Sequence, residues 1–195
     1  FDAARDDLDR DTQFIYNLHG ILPGDIAASR IVTVRGDASA RFNALSRTYQ
    51  YTISRVKDPF VADTAWLLYW ELDVARMNDA AAILLNHSDF TSFSRLHGSN
   101  RTSICRVTHA MWHEEAERLI FTISADRFLR NMVRAIVGTL IPAGRGKLSV
   151  TGFESVLNGK NRGLAGQSAP ALGLSLTKIE YPDEIFLLIR RFSPD

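Results

Sequence analysis

The apolar positions between Asp126 and Gly144 fall in pairs that recur every three to four residues. This is the period of a helix with one broad apolar face. We therefore predict a helix over Asp126–Gly144, with the Asp126 carboxylate at its positively polarised N-terminus and with Pro142 and Gly144 at its end. A helix with such a broad apolar face needs a sheet or another helix to cover that face.

Three arginines, Arg127, Arg130 and Arg134, recur at positions i, i+3 and i+7 of this predicted helix and would line one edge of its apolar face. A row of arginines on a helix is often a solvated face, but the apolar surface here brings part of the row close to the packing seam. Arginine binds carboxylates and phosphates through two parallel hydrogen bonds. We therefore expect Arg134 to pair with an acidic group in a cleft. Gly138, one turn further along, would leave room for another backbone or a ligand.

A strand is predicted over Arg47–Arg55, where Tyr49, Tyr51 and Ile53 alternate with polar residues. From there the predicted order is strand, helix, two strands, helix, strand. This order indicates an α+β fold with helices on one face of an antiparallel sheet, like an RNA-recognition or ferredoxin-like unit. The other predicted elements are a helix near 8–19, a strand over Ile26–Arg35, a helix over Leu72–Asn86, a hairpin of Ser103–His113 and Arg118–Ala125, a helix over Thr151–Leu157, and a strand over Leu174–Tyr181.

The length of 195 residues fits one ordinary domain or two small ones, and a net charge of +1 argues neither for nor against an RNA partner. The one cysteine, Cys105, excludes an internal disulfide framework, fits a reducing compartment, and is interpreted as a buried strand residue. No apolar run is long enough to span a bilayer. His109 and His113 would lie roughly 13 Å apart on a strand, so no metal site is predicted.

Two interpretations of the tyrosine pair remain open. Tyr49 and Tyr51 are either ordinary sheet packing or a stacking platform for unstacked bases, flanked by the cations of Arg47 and Arg55. Further basic residues are either phosphate contacts or scattered surface charge: Arg95, Arg101, Arg106, Arg145, Lys147, Lys160 and Arg162.

Five motifs occur in the order found in one enzyme family. They are LPGDI at Leu22–Ile26, ARF with RTYQY at Ala40–Phe42 and Arg47–Tyr51, DFTSF at Asp89–Phe93, FLRNMVRAIVG at Phe128–Gly138, and AP…GL…Y at Ala169–Tyr181. Together they make the chain resemble the TruA family of tRNA pseudouridine synthases. The resemblance implies the pseudouridine synthase fold, isomerisation of uridine to pseudouridine in the anticodon stem-loop of tRNA, no cofactor, a homodimer, no membrane association, and a cytoplasmic location.

The resemblance also assigns roles to individual residues. The family's active-site tyrosine, which packs on the uracil, corresponds to Tyr49, and the arginine that pairs with its catalytic aspartate corresponds to Arg134. Further substrate-binding positions are expected at Arg127, Arg130, Arg41 and Arg47.

The family's nucleophilic aspartate lies in an Arg-Thr-Asp-Ala-Gly motif that does not occur in these residues. We therefore expect the chain to be truncated and inactive alone. Residues 1–43 would be the remnant of the first half, 44–182 the second half, and 183–195 a tail. Two other hypotheses remain open, a non-catalytic RNA-binding module and a dimerisation domain based on the apolar tail Ile185–Ile189.

Overall fold

The structure is a computed structural model that describes residues 7–94 and 102–187. It forms two compact units, one made of residues 1–43 and 181–195 and the other of residues 44–180. Within the described residues, no helix is long and apolar enough to cross a membrane.

The smaller unit contains helix α1 (Thr12–Ile21), which the Asp11 carboxylate caps at its N-terminus. The predicted strand over Ile26–Arg35 is wrong, because in the described residues only an isolated bridge between Val34 and Phe186 forms. This segment is mostly exposed and has no buried face, so its β-branched residues lack the packing that would stabilise a strand. The start of the apolar tail docks here, and Ile185 is buried, whereas Leu188 and Ile189 lie outside the described residues.

The larger unit is built on a five-stranded sheet in which β1 is central. Its elements are β1 (Ser46–Ser54), β2 (Trp66–Leu67), α2 (Val74–Ala82), β3 (Val107–Glu115), β4 (Arg118–Ala125), α3 (Met132–Gly144), α4 (Val150–Asn158) and β5 (Leu174–Glu180). The order is β2-β1-β4-β3, with β5 antiparallel to the first part of β1 and β2 parallel to its end. The α+β fold is confirmed, and the predicted order holds for β1, α2, β3, β4, α3 and β5, with the short strand β2 and helix α4 in addition.

Alternation along the strands decides which face of the sheet is covered. On β4, Leu119, Phe121, Ile123 and Ala125 are buried while the residues between them are partly exposed, as predicted. The buried residues of the sheet and of α2, α3 and α4 form one continuous core. This core fixes the position of α3, the helix that carries Arg134.

Helix α3 begins six residues later than predicted. The Asp126 carboxylate does not cap it, because Asp126 Oδ1 accepts hydrogen bonds from the backbone N–H groups of Arg106 at 2.8 Å and Arg127 at 2.7 Å. Asn131, directly before the helix, has a left-handed backbone with φ 71°, a conformation that asparagine tolerates better than most residues. The predicted arginine row is therefore wrong, since Arg127 and Arg130 precede the helix and only Arg134 lies on it.

The end of α3 also differs from the prediction. Pro142 lies inside the helix rather than ending it, and its missing N–H leaves the Gly138 carbonyl without the usual helical donor. The helix ends at Gly144, and the following Gly146 adopts φ 69°.

Three further boundaries differ from the prediction. The predicted helix over Leu72–Asn86 is an α-helix only as far as Ala82 and continues as a 3-10 turn. The strand predicted from Ser103 begins only at Val107, as β3, so Cys105 is buried, as expected, but lies just before a strand rather than in one. The predicted helix near 8–19 is observed a few residues later, as α1.

Candidate active site

Arg134 is partly buried and held at two points by one neighbouring segment. Its Nε donates a hydrogen bond of 2.7 Å to the carbonyl of Ala169, and its own carbonyl accepts one of 2.9 Å from the Ala169 N–H. No carboxylate of the described residues lies within ion-pair distance of Arg134, and its two terminal amino groups have no hydrogen-bond acceptor among them. The guanidinium is thus anchored at Nε, while no group of the described residues occupies its two terminal amino groups.

Two glycines allow this segment to cross α3 closely. A Cβ at Gly138 would lie 1.8 Å from the Gln167 carbonyl oxygen, and a Cβ at Gly166 would lie 2.5 Å from the Gly138 carbonyl oxygen. Both clashes are with backbone atoms, which no side-chain rotation can relieve. The prediction that Gly138 leaves room for another backbone is therefore confirmed.

Tyr51 anchors the same segment from the sheet. It is fully buried, and its hydroxyl donates a hydrogen bond of 2.8 Å to the Pro170 carbonyl. Burial raises the pKa of the Tyr51 hydroxyl above its ordinary value, and the nearby charge of Arg134 opposes this rise. Tyr51 is therefore a packed, neutral side chain, and its contacts fit the packing interpretation of this residue.

Tyr49 differs from Tyr51 although both point to the same face of β1. Tyr49 is only partly buried, and its ring meets Phe128 edge to face with ring centroids 5.1 Å apart. Its hydroxyl has no hydrogen-bond partner among the described residues. Tyr49 thus places an aromatic ring at the margin of the core, with a hydroxyl that none of the described residues bonds. It lies two residues from Tyr51, whose pKa is affected by the charge of Arg134.

The other expected arginines are exposed or have contacts of their own. Arg130 is exposed and Arg127 is partly buried near Cys105, where its charge opposes the burial that raises the pKa of that thiol to about 11. Arg47 Nη1 donates to the carbonyls of Ala44 at 2.8 Å and Asp126 at 2.7 Å, so it braces the end of the sheet. Arg41 belongs to the smaller unit, where its guanidinium lies 5.4 Å from the Phe42 ring centroid.

Several candidate phosphate contacts have protein partners instead. Lys160 forms an ion pair with Asp89 at 2.9 Å, and Arg145 lies over the ring of Trp70 at 3.7 Å. Among the described residues, Arg162 donates to its own loop, to the carbonyls of Ala165 and Gly166 and to Ser168 Oγ. Arg95 and Arg101 lie outside the described residues.

Sequence reasoning missed the residues that hold the Arg134 acceptor, chiefly Asn131 and Ser168, whose side chains are hydrogen-bonded at 2.6 Å. The local sequence carries no distinct signal, because Asn131 directly follows Arg130 in a mixed polar and apolar segment before α3. Within residues 7–94 and 102–187, no group of three or more histidine, cysteine or acidic side chains could hold a metal ion.

A family model and several proteins of similar sequence carry the same family description. Residues 80–182 match the family model described as tRNA pseudouridine synthase. A protein of Bacteroides fragilis named tRNA pseudouridine synthase A is 49% identical over 187 residues, which are 95% of this chain and 74% of that protein. The protein of the same name from Porphyromonas gingivalis is 49% identical over 87% of this chain and 68% of its own length. That of Yersinia pestis is 36% identical over 91% and 68%.

Proposed function

This chain belongs to the tRNA pseudouridine synthase family of isomerases, and we propose that Arg134 holds the nucleophilic aspartate of the reaction. In the same proposal, Tyr49 packs against the uracil ring. The substrate is a uridine in the anticodon stem-loop of tRNA, and the product is pseudouridine. The carboxylate that Arg134 holds lies outside the residues that the structure describes.

One observation carries this proposal. The Arg134 guanidinium is fixed through Nε, while its two terminal amino groups have no acceptor among the described residues. A planar guanidinium with two parallel donors matches the two oxygens of a carboxylate. The buried residues of α3 around it exclude water on one side, which strengthens an ion pair formed there.

The roles follow from the steps of the isomerisation. The aspartate forms a bond to the nucleotide as the bond between N1 and the sugar breaks. The base then turns, and C5 of the ring bonds to the sugar as the aspartate leaves. The proton on C5 is lost and N1 gains one, so the product is an isomer of the substrate. Arg134 keeps the carboxylate ionised and oriented for attack, because an adjacent cation lowers the pKa of a carboxyl group. Tyr49 stacks on the base through the ring that Phe128 holds edge-on. The proposed reaction uses protein side chains and no cofactor.

The target base must leave its stacked position in the RNA before it can reach the protein side chains. A target uridine stacked in the anticodon stem-loop has to leave its stack to reach a side chain at the margin of a protein core. We propose that Arg127, Arg130, Arg41 and Arg47 assist in holding the RNA. We also propose that the protein works as a homodimer in the cytoplasm, where its tRNA substrate is found.

A non-catalytic RNA-binding module is the second candidate, and it is favoured by the same amino groups of Arg134, which would then face a phosphate. The substitution Arg134→Lys in the full-length gene product separates the two functions, because lysine keeps the charge but loses the two parallel donors. If Arg134 holds the aspartate, turnover falls by far more than tRNA affinity. An equal loss of both favours the binding module.

The matched control is Arg76→Lys on the exposed face of α2, where Arg76 pairs with Asp73 at the helix surface. This variant makes the same chemical change away from the proposed site. Both its turnover and its tRNA affinity are expected to stay close to those of the unmodified protein.

A further inference from the structure

The loop that supplies the acceptor for Arg134 is fastened by a group of side chains outside the proposed catalytic pair. Ser168 Oγ, one residue before Ala169, accepts hydrogen bonds from Asn131 Nδ2 at 2.6 Å and from Arg162 Nη2 at 2.9 Å. We call Asn131, Arg162 and Ser168 the Ser168 clasp. It ties the loop both to the start of α3 and to the 3-10 turn that follows α4.

Arg162 also shapes the loop ahead of Ser168. Its Nη1 donates to the carbonyls of Ala165 at 3.2 Å and Gly166 at 3.0 Å, while the Gly166 N–H donates to Thr139 Oγ1 at 2.9 Å. The loop is thus bonded at several points before the chain reaches Ala169, which is itself 2% exposed. The Ala169 carbonyl has little freedom to move relative to α3.

Asn131 is the second unusual feature. Its backbone is left-handed, and its side chain bonds to Ser168 instead of capping α3. Left-handed conformations cost energy in residues other than glycine and concentrate at functional sites. With this backbone conformation, the side-chain amide of Asn131, three positions before Arg134, reaches the loop that Arg134 also contacts.

We propose that Ser168, held by Asn131 and Arg162, is a positioning residue for Arg134. By fixing the peptide of Ala169 it fixes the acceptor of the Arg134 Nε, and therefore the direction in which the two terminal amino groups of Arg134 point. The inference rests on the proposed function of Arg134, and extends it to residues that do not touch the substrate or the aspartate.

The test replaces Ser168 in the full-length gene product. Ser168→Ala removes the oxygen that accepts both bonds, and Ser168→Thr keeps it. Ser155→Ala removes an exposed hydroxyl on α4 that bonds to the Thr151 carbonyl within its own helix. We expect Ser168→Ala to lower kcat roughly ten- to hundred-fold, because small misplacements of catalytic groups cost about this much. Its tRNA Kd should stay close to that of Ser155→Ala, its Tm should fall by only about 2–4 °C because a hydrogen-bond acceptor is lost, and Ser168→Thr should restore most of kcat.

A kcat for Ser168→Ala within about twofold of that for Ser155→Ala would overturn the proposal. A fall in kcat matched by an equal fold-loss of tRNA affinity and by a Tm decrease well beyond a few degrees would also overturn it, because that pattern indicates a merely structural role. If Ser168→Ala does not fold, Asn131→Gly decides the question. Glycine accepts the left-handed backbone without strain but removes the amide, so it should produce the same selective loss of kcat.

A direct measurement separates this inference from the proposed function. Hydrogen exchange of the Arg134 Nε–H, followed by nitrogen-15 NMR, should be at least about tenfold faster in Ser168→Ala than in the unmodified protein, because a protected bond opens more often. Unchanged exchange would refute the positioning role of Ser168 even if Arg134→Lys abolished turnover. Faster exchange with turnover unaffected by Arg134→Lys would refute the proposed function and leave the clasp standing.

Discussion

Arg134 and Ala169 hold each other by a reciprocal pair of hydrogen bonds. The Arg134 Nε donates to the Ala169 carbonyl at 2.7 Å, and the Ala169 N–H donates to the Arg134 carbonyl at 2.9 Å. The bond from the Ala169 N–H joins the loop to the backbone of α3. The bond from the Arg134 Nε then holds the guanidinium against this fixed loop. The direction of the guanidinium therefore depends on how closely residues 165–170 lie against α3, and this dependence can be tested at the point where they cross.

Replacement of Gly138 by alanine should separate the loop from α3. The new Cβ would lie 1.8 Å from the Gln167 carbonyl oxygen, so the backbone of the loop has to move. We expect a loss of about 1–3 kcal/mol in the free energy of unfolding, as is common for overpacking, together with reduced turnover. Urea denaturation and a pseudouridine assay of the full-length gene product measure the two effects.

Gly20→Ala is the matched control for this substitution. Gly20 lies within α1, and a Cβ added there would meet no other atom within 4 Å. Alanine there should leave stability unchanged or raise it by up to about 1 kcal/mol. A Gly138→Ala protein as stable as Gly20→Ala would show that the helix and the loop are not in the close contact described.

The two tyrosines of β1 should respond differently to loss of the hydroxyl. Tyr51→Phe leaves the Pro170 carbonyl without its donor and should cost about 1 kcal/mol of stability. Tyr49→Phe removes a hydroxyl that has no partner among the described residues and should change stability by less than about 0.5 kcal/mol. Thermal or urea unfolding of both variants gives the comparison, and equal losses would contradict the assigned hydrogen bonding.

The acid sensitivity of the fold should depend partly on Asp89. Its carboxylate accepts hydrogen bonds from the Thr91 hydroxyl at 2.7 Å and the Thr91 N–H at 3.0 Å. These bonds and the ion pair with Lys160 lower the pKa of Asp89. A lowered pKa in the folded state means that the carboxylate stabilises the fold above the ordinary carboxyl range, and that this contribution is lost as the pH falls through that range toward the folded pKa.

Asp89→Asn should therefore cost about 1 kcal/mol near neutral pH, and its difference from the unmodified protein should shrink below about pH 4. Urea denaturation across this pH range measures the difference. Asp63→Asn, at an exposed position without a hydrogen bond or ion pair to another described residue, should show no such convergence. A gap for Asp89→Asn that stays constant with pH would contradict the assigned interactions.

Periodicity predicted the covered face of the sheet and the core-facing part of α3, because both depend on the alternation of apolar side chains. It could not predict where α3 begins. The Asp126 carboxylate that would suit a helix N-terminus is instead bonded to the Arg106 N–H, twenty positions back in the chain, and this contact exists only in the folded structure.

The same limit applies to the candidate site. Arg134 was predicted from its residue type and its place in an apolar helix, but its acceptor is a main-chain carbonyl, which carries no residue-specific signal. The sequence does not distinguish Arg162 from other cations in loops, whereas in the structure its guanidinium is bonded to its own loop.

Cys105 should be unreactive in the folded protein. Its side chain is 1% exposed, and burial raises the pKa of the thiol to about 11, so the reactive thiolate is scarce at pH values where proteins are handled. A thiol reagent such as DTNB, applied to the 195-residue chain, should label Cys105 only as fast as the protein opens. Labelling at the rate of a free thiol would contradict the buried position.

The central claim is that Arg134 holds a carboxylate, and an experimental structure of the full-length gene product tests it most directly. We predict an aspartate oxygen within about 4 Å of an Arg134 terminal nitrogen, with the Nε still bonded to Ala169. Replacing that aspartate by asparagine should abolish turnover. An Arg134 whose terminal amino groups face only solvent or an RNA phosphate, with no carboxylate in reach, would contradict the account.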